Sequence, residues 1–111
     1  MKKGPLFEKQ VVEYLRSEGF DKCERRVMGG RLDRGDISGI PNVVLEVKNT
    51  GVMQMGAAVA EAEKEAANAG ARWWSVIFKR RQKGVHQAYV VISLDQWSRI
   101  LRILDVEGWL A

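Results

Sequence analysis

Gly35-Asp36-Ile37-Ser38-Gly39-Ile40-Pro41-Asn42-Val43-Val44-Leu45-Glu46-Val47-Lys48 decides how the rest of the chain is read. Pro41-Asn42 is a turn dipeptide between two apolar runs, so Asp36 to Ile40 and Val43 to Lys48 are predicted as strands joined by that turn. Successive side chains of a strand leave opposite faces, which sends Val43, Leu45 and Val47 one way and Val44, Glu46 and Lys48 the other. A carboxylate and an ammonium therefore share one face of an otherwise apolar strand. If that strand is central, its charges need partners or a metal.

Upstream, Lys22 to Met28 reads as a strand, and Gly29-Gly30-Arg31-Leu32-Asp33-Arg34-Gly35 as a glycine-punctuated, charged loop. Leu6 to Ser17 reads as a helix, with Phe7, Val11, Tyr14 and Leu15 at helical spacing. At about 100° per residue from Phe7, Glu8 falls inside the apolar arc, whereas Glu13 lies on the opposite side. Downstream, the Ala-, Glu- and Lys-rich stretch from Met53 to Asn68 is predicted as a helix stopped by Gly70. Arg72 to Lys79 and Ala88 to Ser93 are predicted as strands, separated by the basic connection Lys79-Arg80-Arg81-Gln82-Lys83-Gly84. Ser93 and Gln96 have capping-box spacing and open a last helix, Leu94 to Leu104. The order α-β-β-β-α-β-β-α predicts an α/β fold, a mixed central sheet of about five strands flanked by helices.

A chain of 111 residues has room for one domain, 1-111, with one core. No apolar run approaches the roughly 20 residues of a spanning helix, and the opening Met1-Lys2-Lys3-Gly4-Pro5 reaches Glu8 before any signal-like apolar stretch develops. A cytoplasmic location is expected. Cys23 is the only cysteine and His86 the only histidine, which excludes a disulfide framework and a multi-cysteine zinc site. Any metal here must be held by carboxylates. The net charge is +4, and from Arg72 to Arg102 seven basic residues meet one acidic residue, Asp95, a distribution that suits a polyanionic partner.

The chemistry-bearing set is Asp36, Glu46 and Lys48, with Glu8 offered from the first helix. Two carboxylates from neighbouring strands can converge on a hard divalent cation such as Mg²⁺, and the Val47 carbonyl can add a ligand. Lys48, about 6.6 Å along the same strand face from Glu46, is within reach of a phosphate or an attacking water beside that metal. Gly35-Asp36, a spacer and Glu46-Val47-Lys48 resemble the PD-(D/E)XK nuclease signature, with Gly35 standing where that signature often has proline. With the opening Lys3-Gly4-Pro5-Leu6-Phe7-Glu8 and the glycine-rich basic loop, the element order is similar to that of archaeal-type and phage Holliday junction resolvases. The resemblance implies a restriction-endonuclease-like core and a homodimer that makes paired symmetric cuts in four-way DNA junctions with Mg²⁺, or with Mn²⁺. It implies Glu8, Asp36, Glu46 and Lys48 as active-site residues, Asp36, Glu46, Val47 and Glu8 as metal ligands, and junction contact from the Gly29 to Gly35 loop.

Arg31 and Arg34 in that loop, and Lys79, Arg80, Arg81 and Lys83 in the basic connection, are the candidate DNA contacts. Alternatives stand beside these readings. Asp33 competes with Asp36 as the ligand from the first strand, Glu8 can be a helix-edge residue paired with Arg or Lys, and the basic connection can be a solvated tip. Gln54 can approach substrate or cap its helix, while His86 and Cys23 read as structural. Trp73 and Trp74 read as sheet packing. Trp97, Ile100, Leu101 and Leu104 form one wide apolar helix face, which with Trp109 and Leu110 suggests a two-fold interface. The functional alternatives are another nuclease of the superfamily, acting on flaps, ends or duplex DNA, and a non-catalytic nucleic-acid-binding module.

Overall fold

The computed structural model describes residues 3–26, 34–50 and 54–111. The segment 27–33, and with it Arg31 and Asp33, lies outside the described residues. Helix α1 spans Lys3–Ser17, three residues longer at its start than the spacing predicts. Pro5 permits this extension, because an N–H in the first helical turn has no intrahelical partner to lose. Phe7, Val11 and Val12 point into the core.

Strands β1 (Glu24–Arg25), β2 (Ile37–Ser38), β3 (Val43–Lys48), β4 (Trp73–Phe78) and β5 (Tyr89–Val91) form one mixed sheet in chain order. β1, β2 and β3 pair antiparallel, β3 and β4 parallel, and β4 and β5 antiparallel. A parallel pair needs a long crossover, and helix α2 (Met55–Ala69) supplies it. Gly70 closes α2 as predicted, donating to the carbonyls of Ala66 and Ala67. Strand β3 matches its predicted bounds, whereas β1, β2 and β5 are shorter than expected. β2 stops at Gly39, whose φ of +102° leaves the extended region; a Cβ there would lie 2.0 Å from the Lys22 carbonyl oxygen. The sequence order thus yields the expected α/β architecture, a mixed five-stranded sheet with three helices.

Register decides what each face of β3 meets. Glu46 lies beside Val76 and Lys48 beside Phe78, so all four share one face of the parallel pair. Val76 and Phe78 pack with Ala58 and Ala62 of α2, whose small side chains let the helix approach the sheet closely. On the other face Leu45, Val47, Ile77 and Ile37 pack with Phe7, Val11 and Val12 of α1 and with fully buried Cys23. The charged pair of β3 therefore faces α2, not α1.

Helix α3 (Leu94–Val106) starts where the capping box predicts, with the Ser93 hydroxyl accepting from the Gln96 N–H. The reciprocal half of the box is absent: the Gln96 side chain turns inward, and its Oε1 accepts the Trp74 N–H at 2.9 Å. Gln96 is the buried residue of α3, while Ile100, Leu101 and Leu104 are half-buried and Leu94, Trp97 and Ile103 exposed. Among the described residues no helix is long and apolar enough to cross a membrane.

Candidate active site

Asp36 is positioned by its backbone before its side chain acts. Gly35 holds φ at +100° against β3, 3.0 Å from a Val44 methyl and 3.2 Å from the Leu45 carbonyl oxygen measured from an added Cβ. Proline, confined to φ near −65°, cannot take this conformation, which accounts for glycine before the aspartate. The Asp36 N–H then donates to the Leu45 carbonyl at 2.9 Å, and the Val47 N–H donates to Asp36 Oδ2 at 2.8 Å. The carboxylate replaces the missing strand partner of Val47 ahead of the start of β2. In a strand the N–H and C=O of one residue leave by the same edge, so the Val47 carbonyl is directed to the Asp36 side.

Glu46 is buried in the centre of the sheet's α2 face, and among the described residues no donor group reaches its Oε1. Burial pushes its pKa up to about 7; the adjacent Glu65 carboxyl and Lys48 pull it down, while the charges of Asp36 and Glu61 push it further up. Lys48 Nζ lies 3.6 Å from Glu46 Oε2 and donates to Glu61 Oε2 at 2.9 Å. Burial alone would lower the lysine pKa, but Glu61, Glu46 and Asp36 outweigh it and raise it. Lys48 thus keeps its proton at neutral pH and serves as a fixed positive charge.

Glu61 and Glu65 are the residues that the sequence reading missed. Oxygens of Glu46, Glu61 and Glu65 all lie within 4.8 Å of one another, close enough to share one cation. The signal for Glu65 was present in α2: at about 100° per residue, this side chain falls about 20° from Ala58, at the edge of the stripe formed with Ala62 and Ala66. A carboxylate on a buried alanine stripe needs a partner, and the partner is Glu46.

The structure gathers Asp36, Glu46 and Lys48 into one electrostatic neighbourhood and leaves Glu8 outside the carboxylate cluster. Glu8 belongs to α1, on the far side of the sheet, and its Oε1 accepts from Arg25 Nε at 3.1 Å. This is the ion-paired helix-edge arrangement that competed with the metal-ligand reading. Gln54 is exposed ahead of α2 and makes no side-chain cap. Lys79 follows β4 directly, its N–H on the Lys48 carbonyl at 3.0 Å, so the basic connection starts beside the site. Lys79, Arg81 and Lys83 are exposed, whereas Arg80 stacks 4.6 Å above the Tyr89 ring. Arg34 is exposed next to Gly35. His86 is exposed with its ring near Tyr14, and burial pushes the Cys23 thiol pKa up, consistent with structural roles.

No protein-family model matches the chain, and no curated protein or solved structure shows significant similarity to it.

Proposed function

We propose that this protein is a Mg²⁺-dependent DNA endonuclease of the restriction-endonuclease-like kind, with branched DNA, a four-way junction above all, as its substrate. The carrying observation is Glu46: a carboxylate buried in a central strand with, among the described residues, no donor on Oε1, beside Asp36, Glu65 and protonated Lys48. A buried carboxylate oxygen without a donor is costly, and a hard divalent cation is a ligand that makes such an oxygen favourable. Glu46, Asp36 and the Val47 carbonyl would hold it, with Glu65 and Glu61 able to join from α2. The bound ion would supply Lewis acidity at a phosphate oxygen.

The protein's own groups supply the rest. Lys48 offers fixed charge and N–H donors to the phosphate that is attacked, and its raised pKa suits that role better than a base. Asp36, tied to the Val47 N–H, is held in place before substrate arrives. The net charge of +4 and the exposed Lys79, Arg81 and Lys83 beside the site favour a phosphate backbone as partner. A chain this small with one such site needs two copies to make paired cuts, and the exposed Leu94 and Trp97 edge of α3 is the surface we assign to a homodimer.

The test is cleavage of a labelled four-way junction and of the matching linear duplex, with Mg²⁺, Mn²⁺ or EDTA, by wild type and Glu46→Gln. Paired symmetric nicks in the junction that need the metal and Glu46 are expected. Equal cutting of the duplex would leave a nuclease without junction preference. Binding without any cleavage by folded protein would replace the proposal with a non-catalytic binding module.

A further inference from the structure

The carboxylate cluster occupies one end of the parallel pair. At the other end, where β3 and β4 begin, the side chains change character. The segment from Ala71 to Trp73 runs between two concavities. The larger, about 680 Å³, is lined by Arg72, Trp73, Arg99 and Arg102, with Glu107 as its one acidic residue. The smaller is lined by Arg26 and Arg34 beside Val43 and Val44. Trp73 is paired with Val43, and Phe78 with Lys48. At roughly 3.3 Å per residue, the five steps from Trp73 to Phe78 separate this region from the Lys48 end by about 16 Å.

We propose that these arginines form a second nucleic-acid surface, a groove that takes the backbone phosphates of a duplex, with Arg72, Arg99 and Arg102 at a distance from the cleavage site and Arg34 two residues before Asp36. Among the described residues, three arginines and Glu107 line the larger concavity, two arginines line the smaller, and all five arginines are exposed. Arg72 and Arg102 make no ion pair among the described residues, and Arg99 reaches Asp95 only at 3.9 Å, with both side chains more than half exposed. An ion pair of that kind holds little energy and yields to a stronger anion. The basic groups are all arginine, whose planar fork matches two phosphate oxygens at once, and half-buried Trp73 adds a flat wall beside them. Neither feature is required by a partner that is merely acidic. The groove rests on the DNA reading given above for its partner class, but not on cleavage.

The experiment is fluorescence anisotropy of a labelled linear duplex with the full chain in EDTA, across 50 to 200 mM salt. Arg99→Ala/Arg102→Ala is expected to weaken binding by about tenfold or more and to make the plot of log K against log salt shallower by about 2. Unchanged affinity and slope in that variant overturn the proposal, as does failure of folded wild type to bind the duplex. More effective displacement by polyglutamate than by unlabelled duplex of equal charge overturns it in favour of an acidic protein partner. Cleavage is followed in parallel. Arginine-dependent binding without cleavage removes the nuclease and leaves the groove; cleavage with binding indifferent to these arginines does the reverse.

Discussion

Lys48 Nζ donates to Glu61 Oε2 at 2.9 Å, which ties the last residue of β3 to the middle of α2. That pair helps to hold the Lys48 pKa above its ordinary value against burial. Glu61→Gln is expected to lower the Lys48 pKa, because Glu61 is the largest contributor raising it against burial. A lysine-selective NMR titration of both proteins reads this directly. A downward shift is expected; no change would mean that Glu46 and Asp36 alone raise the pKa. The cost in stability should stay below about 1 kcal/mol, since Glu61 is half exposed and solvent screens the pair.

Glu46 makes the metal-free protein sensitive to pH. Its native pKa of about 7 lies above its ordinary value of 4.5, so the native state holds the proton more tightly than the unfolded chain does. The associated stability, on the order of 3 kcal/mol, is fully present below about pH 4.5 and is lost as pH rises through about 7. Thermal melts in EDTA should show a lower Tm at pH 8 than at pH 5. Glu46→Gln should flatten that dependence. Added Mg²⁺ should raise the Tm more at pH 8 than at pH 5, and chelation should reverse the gain.

Asp36 has a structural task and a chemical one, and two substitutions separate them. Asp36→Asn keeps an acceptor for the Val47 N–H, so stability should hold while metal-dependent cleavage is lost. Asp36→Ala strands that N–H and should cost a further 1 kcal/mol or so, up to about 3 kcal/mol. Urea denaturation beside the cleavage assay distinguishes the two.

Gly39→Ala tests the turn that ends β2. Its φ of +102° and a Cβ placed 2.0 Å from the Lys22 carbonyl oxygen leave no room for a small adjustment. A loss of about 3 kcal/mol or more is expected in urea denaturation. Gly56→Ala is the control, since nothing lies within 4 Å of a Cβ there and its helix prefers alanine.

Wild-type protein at micromolar concentration is expected to sediment as a dimer, and Trp97→Glu as a monomer. Trp97 is 44% exposed on an apolar helix edge, where a carboxylate costs a free monomer little but would be buried in a two-fold contact.

The sequence by itself determined the elements and their faces. The alternation in Val43–Lys48 put Glu46 and Lys48 on one side of β3, the alanine-rich run stopped at Gly70, and Ser93 capped α3. These are local consequences of strand and helix periodicity and of capping chemistry, and they need no distant partner. Tertiary structure decided which faces meet. The parallel pairing of β3 with β4 requires a crossover, and that crossover lays α2 over the charged face, bringing Glu61 and Glu65 to Glu46. The same arrangement leaves α1 on the opposite face, where Glu8 meets Arg25. Periodicity fixes the direction of a side chain relative to its own element; the group it meets depends on chain paths between residues far apart in sequence, which no local pattern records.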